Sequence, residues 1–403
     1  MNSLVCDETE IMYKSEIDDY LQKIDKNLEK KDCENDTLFS GNLGRVLYFM
    51  YRYRTSNNVY FADLASKILG QVLENIREKK NRISFTSSLS SGLTGLCFVN
   101  TLLEDDDFMD LEMNKTFIQF DEIIFKKACQ QIKEGNFDYL HGALGSLYYF
   151  SFRVQKNENI ALYIAQMIDL IVDRTVVESD VMYFKNTHIN QMNDTPENLN
   201  FGFAHGLSGM VMVLLKIYQT GIVEDKVQKL INGFIEFTLS KYQKTDFENK
   251  QFSHFPLTID VQNQGNYGSF LGWCYGDLNQ AIMLYQAGKT LERNDLTRIA
   301  ENISQTTLKR IQKKGAYMDN PFFCHGTSGL AQMYRALEQI SGDILHQKGS
   351  EYWLSQTMDY LEKYDWKLEN SGGLLGGLEG LGLVLMNSKT HTKTFWDRLF
   401  LLQ

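Results

Sequence analysis

Ala204-His205-Gly206-Leu207-Ser208-Gly209 runs directly into apolar Met210, Val211, Val213 and Leu214. The same form occurs six more times: Ser40-Gly41-Asn42-Leu43-Gly44, Ser91-Gly92-Leu93-Thr94-Gly95, His141-Gly142-Ala143-Leu144-Gly145, Tyr275-Gly276-Asp277-Leu278-Asn279, His325-Gly326-Thr327-Ser328-Gly329 and Gly376-Gly377-Leu378-Glu379-Gly380. The first glycines, at 41, 92, 142, 206, 276, 326 and 377, are separated by 51, 50, 64, 70, 50 and 51 residues. A fixed period of this length marks a repeat architecture.

Between the copies, segments 60–79, 117–134, 160–177, 226–239, 296–311 and 352–363 carry apolar residues at three- and four-residue steps, and 15–30 does so before the first copy. That is the period of a helix with one buried face. Each repeat therefore reads as an amphipathic helix, a loop, and a more apolar helix opened by glycine. Apolar helices belong inside and amphipathic ones outside. Seven pairs predict an all-α protein, an α/α toroid with an inner and an outer ring of seven helices. An open solenoid is disfavoured, because the same signature opens the first and last copies and closure removes ends that would need caps. The two glycines of each motif, three residues apart, predict close approach of neighbouring inner helices.

Composition agrees. Only three prolines interrupt the chain of 403 residues, and 43% apolar against 23% charged residues is far from the disordered regime. A net charge of −10 argues against a nucleic-acid binder. No apolar run approaches the ~20 residues of a membrane helix. The polar, acidic residues 1–10 do not read as a secretory signal, so the expected location is cytoplasmic. The chain reads as one domain over 1–403. The long steps leave room for a small inserted lobe near 174–200 and 243–270. Residues 180–199 read as a loop, and alternating Phe252, His254, Leu257, Ile259 and Val261 suggest a short strand pair.

The repeat turns sequence position into spatial position. The residue before each first glycine lies at one mouth of the toroid, and there stand His141, His205, Tyr275 and His325. One position earlier come Cys274 and Cys324. Six cysteines scattered along an intracellular chain do not suggest a disulfide framework. Thiolates and an imidazole suit zinc, so Cys274, Cys324 and His325 are candidate ligands with a fourth position open. Their alternative is the usual fate of free cysteine, a small buried apolar group. His205 is a candidate acid or base and Asp138 its orienting partner; each could instead cap a helix. Tyr275 could hydrogen-bond an oxyanion or simply pack in the core. His141 has the position but no evident partner. The remaining histidines and cysteines fall off this ring.

Trp273-Cys274-Tyr275-Gly276, Cys324-His325-Gly326 and Ala204-His205-Gly206-Leu207-Ser208-Gly209 together resemble the lanthionine synthetase C-like family, the LanC cyclases, and the likeness spans all seven glycine motifs. The resemblance implies a toroid with Zn2+ held by Cys274, Cys324 and His325, Asp138 and His205 handling protons, and Tyr275 in the site. It implies thiol addition of peptide cysteines to dehydroalanine or dehydrobutyrine, forming lanthionine or methyllanthionine. The implied partners are a dehydrated precursor of leader plus core, a dehydratase and an export transporter, which leaves room for peripheral membrane attachment through that complex. The alternative is a non-catalytic relative that binds glutathione or another thiol at the same zinc. Two departures stand out. Family members commonly carry Arg four residues before the WCYG cysteine, where this chain has Phe270, and Asn279 replaces a second glycine.

Overall fold

The structure, a computed structural model, describes residues 2–30, 33–105, 108, 114–184, 199–260, 262–312, 318–367, 372–390 and 394–403. Among these, seven helices open at the glycine motifs: α2 (Asn42–Ser56), α4 (Leu93–Asp105), α6 (Ala143–Ser151), α8 (Leu207–Tyr218), α10 (Asp277–Thr290), α12 (Thr327–Ser341) and α14 (Leu378–Ser388). They alternate with α1 (Asn2–Lys30), α3 (Val59–Arg77), α5 (Asn114–Lys133), α7 (Ile160–Arg174), α9 (Glu224–Leu239), α11 (Asn294–Gln312) and α13 (Ile344–Glu362). The first set is buried nearly all round: every residue of α8 from Leu207 to Leu215 is buried. The second set buries one stripe, as in α3, where Phe61, Ala65, Leu69 and Val72 face inward. Each inner helix packs on the next, and α14 packs on α2, so the ring closes.

Closure is repeated in the loops. Leu38 N–H donates to Ser90 O, Ser90 to Leu140, Tyr139 to Ala204, Trp273 to Cys324, Cys324 to Leu375 and Leu374 back to Phe39, at 2.8–3.1 Å. Between copies four and five, Asn200 Nδ2 donates to Tyr275 Oη at 3.0 Å. This belt ties the loops of successive copies into one rim.

The glycines act differently from the expectation of close helix–helix approach. A Cβ at Gly44 would lie 2.7 Å from Leu38 O, in the loop that precedes its own helix. At Gly145 it would lie 2.6 Å from Leu89 Cβ, in the loop of the previous copy. The missing side chains therefore admit rim loops against the first helical turn.

A feature not read from the sequence shapes these loops. Six residues before the first glycine, copies one, three, four and six have Asn35, Asn136, Asn200 and Asn320. Each side-chain oxygen accepts the N–H two residues on, at 2.8–3.2 Å, the hydrogen bond of an Asx turn. In three of these copies the same residue's carbonyl also accepts a first-turn N–H, from Asn42, Ala143 and Thr327. It thus supplies a partner for otherwise orphaned helix donors.

The long steps contain strands. β1 (Val176–Glu178) and β2 (Val181–Tyr183) form an antiparallel hairpin whose Met182 meets Gly233 of α9. β3 (Leu199–Asn200), β4 (Thr258–Ile259) and β5 (Gly265–Asn266) form a second antiparallel sheet. The loop reading of 180–199 thus misses β2 and the start of β3, while 185–198 lies outside the described residues. The expected strand pair is present in shortened form. A 3₁₀ turn, Trp396–Phe400, is buried within the ring.

Candidate metal centre and proton-handling pair

Cys274 and Cys324 stand on the rim loops of copies five and six, just before α10 and α12, with His325 beside the second. Trp273 N–H donates to Cys324 O at 3.0 Å, so one belt hydrogen bond fixes the two cysteine-bearing loops against each other. Their Cα atoms are 6.1 Å apart, and the two sulfurs touch as in a disulfide. A disulfide needs no third donor, yet a His325 ring nitrogen and both sulfurs all lie within 4.8 Å of one another. Tetrahedral donors around one zinc ion stand roughly 3.3–3.8 Å apart, inside that limit, so two thiols and an imidazole converging here are a donor set that fits a metal. Burial, and next the neighbouring His205, push the His325 imidazole below its ordinary range. That favours the neutral form a metal takes.

The copy-five loop departs from the Asx-turn pattern, because Phe270 occupies the asparagine position. Other devices hold it. Gly272 N–H donates to Tyr275 O at 3.0 Å. Gly276 adopts φ +116, a conformation that side-chain-bearing residues rarely reach. Asn279 Nδ2 donates to Trp273 O at 2.7 Å. The asparagine that replaces a second glycine is therefore a brace for the Cys274 loop. The Phe270 ring lies edge-on to His325, with centroids 5.6 Å apart. Asp277 accepts the N–H groups of His254 and Phe255 at 2.9 and 3.1 Å and pairs with buried Arg310. It thereby anchors the strand-bearing segment to the start of α10.

His205 and Asp138 come together on the rim loops of copies four and three. His205 Nδ1 donates to Asp138 Oδ2 at 2.5 Å, and both side chains are buried. The other carboxylate oxygen, Oδ1, accepts the His141 N–H at 2.6 Å. The carboxylate is thus held at both oxygens, and it fixes the tautomer and plane of the imidazole. The Tyr275 ring lies 6.3 Å from His205, and its hydroxyl accepts from Asn200. His141 is exposed, with its ring 6.4 Å from that of His205. One rim therefore carries three metal-type donors, a buried His–Asp pair and a tyrosine.

The off-ring residues have structural settings. His254 Nδ1 donates to Gln243 O, and His346 sits between Ser304 and Ser341. Cys97 is buried, and Cys33 and Cys129 are half-buried. His188 and His391 lie outside the described residues.

Comparison with known proteins matches residues 32–401 to the family described as Lanthionine synthetase C-like protein. The chain is 22% identical over 397 residues to Nisin biosynthesis protein NisC of Lactococcus lactis subsp. lactis, covering 94% of this chain and 91% of that protein. Among solved structures it is similar to Nisin cyclase, with a TM-score of 0.76 and 20% identity over 96% of this chain and 97% of that one. That likeness shows a common fold, the α/α toroid. The chain belongs to the lanthionine synthetase C-like proteins.

Proposed function

We propose that this protein is a zinc-dependent lanthipeptide cyclase, a single toroidal domain over 1–403 acting on a dehydrated precursor peptide. The observation that carries the reading is the convergence of Cys274, Cys324 and His325 with the His205–Asp138 pair on one rim. Its cellular setting in this reading is cytoplasmic, beside a dehydratase and an exporter. Family membership and the named relatives support the reaction class.

The chemical difficulty is a peptide thiol with a pKa of ~8.5, mostly protonated at neutral pH. Bound by Cys274, Cys324 and His325, zinc supplies the positive charge that keeps such a thiol deprotonated. The sulfur adds to the β-carbon of the dehydro residue, and negative charge moves to the amide oxygen. Tyr275 of copy five and His205 of copy four stabilise that charge from the rim. His205, tied to Asp138 through Nδ1, has Nε2 to deliver the proton that the α-carbon gains. Asp138 holds the imidazole in place and stabilises its protonated form before transfer.

Metal analysis joined to incubation with a dehydrated Cys/Ser/Thr-rich peptide tests this reading. The expected result is about one zinc per chain and loss of alkylatable thiol without mass change. Zinc without turnover would favour the thiol-binding alternative, which Phe270 in place of the family's Arg keeps open. Absence of zinc would refute the metal assignment.

A further inference from the structure

The 3₁₀ turn lies where the rim loops meet. Trp396, Leu399, Phe400, Leu401 and Leu402 are at most 2% exposed. Two of its carbonyls take side-chain donors from the rim. Tyr139 Oη donates to Leu399 O at 3.0 Å, and Trp273 Nε1 donates to Phe400 O at 2.7 Å. The Phe400 ring contacts Phe323, Trp273 and Phe39, with centroids 4.0, 5.4 and 5.7 Å away. The turn thus touches copies one, three, five and six at once.

The identity of these contacts is informative. Tyr139, Trp273 and Phe323 occupy the same repeat position, three before the first glycine. Each is the immediate chain neighbour of a functional candidate: Asp138, Cys274 and Cys324. That position is Leu38, Leu89 and Leu374 in the copies without such groups, and aromatic in copies three to six, where Phe203 completes the set. Aromatic rings bring large contact areas with few rotamers, so they transmit position stiffly.

We propose that the Trp396–Phe400 turn is a positioning element for the metal centre. Phe400, wedged between Trp273 and Phe323, and its carbonyl, held by Trp273, set the separation and orientation of the Cys274 and Cys324 loops. Phe400 and Trp273 are positioning residues that act through the two cysteines. This inference rests on the metal reading above and adds residues outside the ligand set.

The test measures zinc affinity by chelator competition and the visible spectrum of the cobalt-substituted protein, in the full chain. The variants are Phe400→Ala, Phe400→Leu, and Trp273→Phe, which keeps a ring but removes the N–H donor. Phe234→Ala is the control, removing an equally buried ring on α9, away from the rim. Residues that support metal ligands from outside typically change affinity by ~10–100-fold. Phe400→Ala is expected to weaken zinc by that factor, Phe400→Leu and Trp273→Phe by less. The thiolate–cobalt band should shift in all three, while Phe234→Ala lowers thermal stability and leaves affinity and spectrum at wild-type values. If Phe400→Ala does not fold, the other two rim variants decide. Wild-type affinity and spectrum in those variants, or an equal loss in Phe234→Ala, would overturn the proposal. Absence of zinc in the wild-type protein would instead refute the metal reading itself.

Discussion

Replacing Asp138 by Asn removes one charge from the rim and little else. The carboxylate is buried, with Oδ2 2.5 Å from His205 Nδ1 and Oδ1 2.6 Å from the His141 N–H. In the variant the amide oxygen can still accept from His141, which turns the NH₂ group toward His205. Nδ1 must then accept, so the ring proton moves to Nε2 and the protonated imidazole loses its counter-charge. A hydrogen bond to a charged group contributes ~1.5–3 kcal/mol. Expressed wholly in the transition state, that alone is ~10–150-fold in rate. Loss of the general acid as well extends the defect to ~10²–10⁴-fold. Asp138 is not among the clustered metal-type donors, so zinc content should not change. The assay is single-turnover loss of alkylatable thiol from the dehydrated peptide, with zinc measured on the same sample. Zinc-replete Asp138→Asn protein that cyclises within about threefold of wild type would refute the role of the pair.

Phe270 gives a second test. The native protein is expected to turn over, because Phe270 packs edge-on to His325 and other contacts brace its loop. Activity found only after Phe270→Arg would show that the missing arginine was required. A third test concerns Asp397, buried in the 3₁₀ turn and pushed by desolvation from 3.8 up to about 6. The fold holds that proton more tightly than the unfolded chain does, so stability falls as pH rises through the window from 3.8 to about 6. The loss is at most ~3 kcal/mol. Asp397→Asn should therefore raise thermal stability near pH 8 and give no gain near pH 4, whereas an equal gain at both would refute the assignment. Finally, Asp277→Ala leaves Arg310 buried without its carboxylate. Denaturant unfolding should show a loss of ~3–5 kcal/mol; less than ~1 kcal/mol would mean that Arg310 finds another partner.

The number of repeats, the inner and outer rings and the rim position of Cys274, Cys324, His325 and His205 were all legible in the chain. Each depends on local periodicity or on distance from a glycine, and a repeat carries such local facts directly into space. The Asp138–His205 pair was legible for the same reason, since neighbouring copies place neighbouring loops. The Asx turns at Asn35, Asn136, Asn200 and Asn320 had a visible signal, an asparagine six residues before the first glycine in four of the seven copies. The tertiary structure alone decided what the glycines face and how Asn279 replaces one of them. It alone decided that the 3₁₀ turn fills the ring, because Phe400 meets Phe39, Trp273 and Phe323 through contacts that span much of the chain. Contacts of that range leave no period in the sequence. They exist only after the ring has closed and enclosed a space that one apolar segment can fill.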